Sequence, residues 1–282
     1  ISKLVPLALF IAIGIFFING ANFTPVFPQD IYVDGSFAQA AVLLFFAYTG
    51  FEVIAIAAED MKNPKKNLPR AIIMCMLLVS VLYMAILAVS IGVLGTDLAN
   101  TKAPVQDAFN VIVGPIGMYI VLIGTLISMG GINFAEAYYA PRVATSMAED
   151  GMLPSALAKR NRYNAPYVAA IVTAIASVLL AWSGSFTTLA AISAVSRFTQ
   201  YLPTCLAVII FRRKWADKAR SYTIPGGYLI PVIAIGTSLW MLAQAQTNQL
   251  LWGLGGCIVI LPFYYSYWKK KKAGLIKDHD EM

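Results

Sequence analysis

Phe45-Phe46-Ala47-Tyr48-Thr49-Gly50-Phe51-Glu52 lies in the middle of an apolar run over residues 36–58. A run of that length can cross a bilayer as a helix, yet its centre is a poor piece of lipid-facing helix. Glycine costs about 1 kcal/mol against alanine in a helix interior. A carboxylate near mid-membrane costs about 2.5–3.5 kcal/mol even on a lenient insertion scale. Two readings accommodate Gly50 and Glu52. In one, the helix is continuous, with a close-contact glycine and a buried glutamate held by hydrogen bonds. In the other, it unwinds at Gly50 into two half-helices, whose freed carbonyls receive an ammonium group and whose half-helix N-terminus receives an anion. The residues alone favour neither.

Outward from this stretch, the chain repeats the same pattern of long apolar runs. Its 282 residues are 59% hydrophobic and 12% charged, with a mean hydropathy of +0.70. Soluble domains carry about 25% charged residues, so no soluble core could hide these runs. Transmembrane spans are expected at about residues 4–20, 36–58, 70–95, 113–138, 165–183, 186–211, 226–246 and 249–268. Residues 1–268 then form one membrane domain of about eight helices, and 269–282 a basic and acidic tail.

Charge gives these spans a direction. One alternating set of loops holds 18 of the 21 lysines and arginines, from Lys62, Lys65, Lys66 and Arg70 through Arg142, Arg212 and Arg213 to Lys269–Lys272. The opposite loops hold only Lys102. The positive-inside rule makes the first set, and the C-terminus, cytoplasmic. A formal net charge of +7 then reflects orientation and contact with anionic lipid head groups rather than nucleic-acid binding. Cys75, Cys205 and Cys257 lie far apart within apolar runs and suggest neither a disulfide framework nor a metal site. His279 sits in the polar tail. With no histidine cluster, nucleophile–base pair or phosphate loop, an enzyme is not expected, nor is a cofactor or a metal.

Two further segments carry a resemblance. The run from Phe46 through Glu59-Asp60-Met61-Lys62-Asn63-Pro64 to Leu68-Pro69-Arg70-Ala71-Ile72 is similar to the sixth-helix signature of the amino acid–polyamine–organocation superfamily of amino-acid permeases. Arg142-Val143-Ala144 through Met147-Ala148-Glu149-Asp150-Gly151-Met152-Leu153-Pro154 resembles the segment after that family's eighth helix. Order, separation and span count agree over essentially the whole chain. The resemblance implies an all-α polytopic protein with the inverted-repeat amino-acid-transporter fold, running from the family's fifth helix to its twelfth. The first repeat, including the other broken helix that holds the substrate carboxylate, is then mostly missing, and the isolated chain is expected to be transport-incompetent.

The same resemblance assigns roles. Phe46 takes the position of the gating aromatic, and Ala47, Tyr48, Thr49 and Gly50 offer hinge backbone to the substrate ammonium. Glu52 resembles an acidic residue of the inner gate, with a structural hydrogen bond as the alternative. Lys3 stands where proton-coupled members place a fifth-helix lysine in lieu of sodium, with Ser128 as its hydroxyl partner from the eighth-helix side. A lysine snorkelling at the helix end is the bland reading of Lys3. Glu136 aligns with a pathway-facing position and either favours a cationic substrate or pairs with Arg142 or Arg197. Arg197 lies mid-span and must face protein or water.

The implied function is secondary active transport of amino acids at the plasma membrane, by proton-coupled symport of neutral or broad-range substrates. The transmembrane proton gradient would be the energy source. An exchanger for cationic substrates is the alternative, as is a sensor or channel on the same scaffold. The expected partners are an amino-acid substrate and the bilayer; nothing in the sequence specifies an oligomeric state.

Overall fold

The computed structural model describes residues 4–24, 36–52, 54, 61–216, 220 and 222–272. Lys3, Glu59, Asp60 and His279 therefore lie outside the described residues. In chain order the helices are α1 (Leu4–Gly14), α2 (Ser36–Ala47), α3 (Pro64–Leu94), α4 (Pro104–Val113), α5 (Pro115–Glu149), α6 (Tyr167–Ser183), α7 (Phe186–Lys214), α8 (Leu229–Gln244) and α9 (Thr247–Lys272). Among the described residues there is no strand.

Four helical stretches, Pro64–Asn100, Pro115–Glu149, Phe186–Lys214 and Thr247–Lys269, are long and apolar enough to cross a membrane. Four shorter apolar ones, Leu4–Phe17, Phe37–Ala47, Tyr167–Ser183 and Leu229–Gln244, occur alongside them. The chain is an all-α, polytopic membrane protein. Its outward faces fit that solvent: Met74, Leu77, Val81 and Met84 form an exposed apolar stripe along α3. A stripe of that size in water would be an aggregation site; in lipid it is the ordinary exterior.

The chain divides into two compact units. The first comprises Ile1–Val33, Asp60–Lys62 and Asn67–Glu136. Its core is Phe10, Val89, Ala108, Phe109 and Val121, with Ile13, Ile86 and Ile112 packed on it. Phe10 and Phe109 meet edge to face, with centroids 5.7 Å apart. α4 lies between the expected spans, and its local signals are plain in hindsight. Pro104 opens the helix, Asp107 sits in its first turn, and Ala108 and Phe109 are buried; both end residues suit a helix N-terminus. Small residues let the backbones approach: a Cβ at Gly124 would collide with the Pro6 ring, and one at Gly92 would stand 2.8 Å from Ile18 Cγ2. Close packing of this kind is how helices associate where lipid removes the hydrophobic drive.

The second unit comprises Asp34–Glu59, Asn63–Lys66 and Ala137–Met282. α7 is its centre, packed on α2, α8 and α9. Ala190, Ala191, Ala194, Val195 and Phe198 are its buried residues, at the helical spacing of one stripe. Val42 of α2 joins Ala191 and Ala194 in the core, flanked by Phe45, Phe46 and Met241. Gly253 of α9 is seated against α7: a Cβ there would stand 2.7 Å from Val195 Cγ1. Ser196 Oγ donates to the Gly253 carbonyl at 3.0 Å and to Ile192 O at 2.9 Å. Ser185 caps the start of α7 by accepting from Thr188 N. Pro69, Pro141, Pro203 and Pro262 sit inside helices, as membrane helices tolerate.

Candidate functional site

α2 stops at Ala47, well inside the run read as residues 36–58, and Tyr48, Thr49 and Gly50 form a turn. The last helical carbonyls are redirected locally. Tyr48 N–H donates to Phe45 O and Thr49 N–H to Phe46 O, both at 3.0 Å. Thr49 Oγ1 also donates to Phe46 O at 2.7 Å. Gly50 has φ +106, with no atom within 4 Å of where its Cβ would be. Its glycine is therefore required by backbone conformation, which L side chains rarely adopt, and not by crowding.

Glu52 closes this turn. Its Oε2 accepts the Gly50 N–H at 2.7 Å, and its Oε1 accepts the Tyr201 hydroxyl of α7. The Arg197 guanidinium stands 3.8 Å from Oε1. The Glu52 side chain is 13% exposed and that of Arg197 38%. Thus the carboxylate is drawn in by two donors and faces a half-exposed cation across a wider gap. Arg197 and Tyr201 are four residues apart on α7, on one helical face. Ring contacts continue the seam: Phe45 stacks on Phe198 at 4.7 Å, and Phe51 on Tyr201 at 6.1 Å. A cavity of about 430 Å³ opens beside Glu52, walled by Phe45, Phe51, Tyr201, Cys205 and Thr237.

Phe46 is half-buried, one residue before the helix ends, and meets the Phe186 ring edge to face at 6.2 Å. Phe46, Ala47, Tyr48, Thr49, Gly50 and Glu52 are therefore brought together at the C-terminal end of α2. The other candidates stand elsewhere. Ser128, in α5, lines a cavity of about 120 Å³ with Pro6, Leu7, Gly124 and Thr125; Lys3 precedes that α1 segment but lies outside the described residues. Glu136 is exposed. Neither partner weighed for it is engaged with it: Arg142 lies 3.4 Å over the Tyr138 ring and donates to Tyr138 O at 2.8 Å, and Arg197 faces Glu52. Among the described residues no group of His, Cys, Asp and Glu could hold a metal ion.

Sequence reasoning missed Tyr201. Its position four residues after a mid-span arginine was the available signal, and a tyrosine in that place also reads as ordinary core.

A family profile described as amino acid permease matches residues 1–263. The chain is 29% identical over 277 residues to the branched-chain amino acid permease BcaP of Bacillus subtilis, covering 96% of this chain and 58% of the relative. It is 35% identical over 242 residues to an uncharacterized transporter of Mycobacterium tuberculosis, covering 82% and 48%. It is 28% identical over 281 residues to the serine/threonine exchanger SteT of Bacillus subtilis, covering 97% and 64%. The chain thus spans about half to two thirds of the length of these relatives.

Proposed function

We propose amino-acid transport by alternating access, from the premise that this chain belongs to the amino acid permease family. The observation that carries the reading is that α2 ends at Ala47, inside the apolar run, in a turn at Gly50; we read this as the break between two half-helices. Unwound backbone at membrane depth is stable only where it is buried in protein or lines a cavity, and here it carries a left-handed-region glycine beside a nearly buried carboxylate. Ala47, Tyr48, Thr49 and Gly50 supply one wall of the substrate site. Phe46 closes over a bound amino acid and excludes water. Glu52, held by Tyr201 and facing Arg197, ties the far side of the break to α7 and acts as a gate that must release when the break moves.

Neutral substrates are the better fit, because the polar charge of the break is internally neutralised by Arg197. The names of the relatives BcaP and SteT, a branched-chain permease and a serine/threonine exchanger, support that class. Glu136, exposed and without an ion-pair partner among the described residues, supports cationic substrates as the second reading. Proton coupling through Lys3 with Ser128 is the proposed energy source. The basic loops and the C-terminus are assigned to the cytoplasmic side.

The test is uptake by the full-length natural protein in liposomes, using a panel of labelled neutral and cationic amino acids with and without an imposed pH gradient. Gradient-stimulated uptake of neutral amino acids, lost in Lys3→Ala, is expected. Uptake indifferent to the gradient but dependent on internal amino acid would replace symport with exchange. Failure of every amino acid and amine tested would remove the reading altogether.

A further inference from the structure

Beyond the substrate site, the ends of α7 and α9 carry a concentration of positive charge that transport chemistry does not use. Two contacts show that these helices run side by side in the same direction. Near their starts, Thr187 and Thr188 of α7 share a cavity of about 170 Å³ with Gln249 of α9. Further along, Ser196 is hydrogen-bonded to Gly253. From that bond, Arg212 follows Ser196 by the same sixteen residues that separate Lys269 from Gly253. Each interval is about 24 Å of helix at 1.5 Å per residue. Measured from the shared cavity, Thr188 to Arg212 is 24 residues and Gln249 to Lys269 is 20, so Arg212-Arg213-Lys214 and Lys269-Lys270-Lys271-Lys272 end within about two helical turns of one another.

The surroundings of this level are those of a bilayer interface. The Phe211 and Trp215 rings meet at a tilt, with centroids 4.8 Å apart, Tyr265 and Trp268 stack at 6.3 Å, and the Lys272 ammonium lies 5.1 Å from the Trp268 ring. Aromatic rings belong at the headgroup level of a membrane helix. Arg212 is spoken for, donating to Ile224 O at 2.9 Å, and Arg220 donates to Trp215 O at 3.0 Å. Arg213, Lys214, Lys269 and Lys272 are exposed, and among the described residues none has a carboxylate within salt-bridge distance. No aspartate or glutamate occurs between Asp217 and Asp278. Neither α7 nor α9 itself contains an aspartate or glutamate.

We propose that the paired ends of α7 and α9 form a binding platform for the phosphate headgroups of anionic phospholipid, with Arg213, Lys214, Lys269 and Lys272 as the contacts and Trp215 and Trp268 as the interfacial anchors. A phosphodiester on a lipid fits better than a soluble anion, because the aromatic collar fixes the platform at the depth where headgroups lie. Each basic side chain near an anionic surface contributes about fivefold in affinity, and the contribution falls with salt because the groups are exposed. The platform is independent of which substrate is carried.

The experiment titrates the detergent-purified full chain with phosphatidylglycerol or phosphatidylcholine and counts bound lipid by native mass spectrometry. Phosphatidylglycerol is expected to bind at least tenfold more tightly, with the preference shrinking between 50 and 500 mM salt. Changing Arg213, Lys214, Lys269 and Lys272 together to Gln should abolish the preference. Exchanging Arg for Lys and Lys for Arg at the same four positions should keep it, which separates lost charge from lost folding. Lys65→Gln with Lys66→Gln, a charge loss of two on another loop, should also keep it. The proposal is overturned if the four-Gln variant retains the preference, or if the Lys65 and Lys66 variant loses it equally. It is also overturned if inorganic phosphate at equal phosphate concentration displaces the lipid, which would indicate a free-anion site.

Discussion

Replacing Glu52 by glutamine should loosen the link between the α2 break and α7, and its size can be worked out. The carboxylate accepts two hydrogen bonds, from Gly50 N–H at 2.7 Å and from the Tyr201 hydroxyl, and faces Arg197 at 3.8 Å. A glutamine keeps the shape, its oxygen can accept the Gly50 N–H and its NH2 can donate to the Tyr201 hydroxyl, so both bonds persist but without the charge. Two charge-assisted bonds become neutral ones, a loss of about 1 kcal/mol each. The Arg197 attraction, with that guanidinium 38% exposed, adds no more than about 1 kcal/mol. A net loss of about 2–3 kcal/mol raises the open population roughly 30- to 150-fold. Cys205 is a natural reporter, because it lines the same cavity as Glu52 and Tyr201. In a Cys75→Ser, Cys257→Ser background, a polyethylene-glycol maleimide too large for a cavity of about 430 Å³ reads only the open state. Glu52→Gln should accelerate its reaction at least tenfold, Tyr201→Phe by less, and the two together by less than the product, since they share one interaction. Labelling within twofold of the parent in Glu52→Gln would refute the idea that this carboxylate holds the break to α7.

Three other substitutions probe the scaffold. Gly50→Ala meets no neighbour but must hold φ +106, at a cost of about 1–3 kcal/mol; the thermal denaturation midpoint in detergent should fall. Gly130→Ala, in equally open space within α5, should leave that midpoint unchanged or raise it. Gly253→Leu would drive a side chain into Val195 and Ile192 O, an overpacking worth about 1–3 kcal/mol. It should lower the midpoint where Gly255→Leu, with nothing within 4 Å, does not.

How much of this was legible in the sequence differs by feature, and the reason is physical. Helices that face lipid announce themselves by sustained apolar length, so α3, α5, α7 and α9 stand out by hydropathy alone. α4 does not, because ten amphipathic residues fall below any membrane-spanning length. Gly50 and Glu52 mark a local conflict between helix propensity and burial, and such conflicts concentrate at functional sites. What resolves the conflict, Tyr201 at 149 residues further along the chain with Arg197 one helical turn before it, lies at a range where one-dimensional patterning carries no information. Arg197 was visible as a mid-span charge in need of a partner; that the partner is Glu52 and not Glu136 is a matter of three-dimensional register.

The central claim is that the α2 break faces the transported amino acid. Its most direct measurement is substrate protection at Thr49→Cys, made in the full-length natural protein in a Cys75→Ser, Cys205→Ser, Cys257→Ser background. A small membrane-permeant maleimide is applied with and without saturating transported amino acid. Labelling at least threefold slower is expected with the amino acid present, and no slowing with an amino acid that is not carried. Unaltered labelling by a substrate that the same vesicles still transport would contradict it.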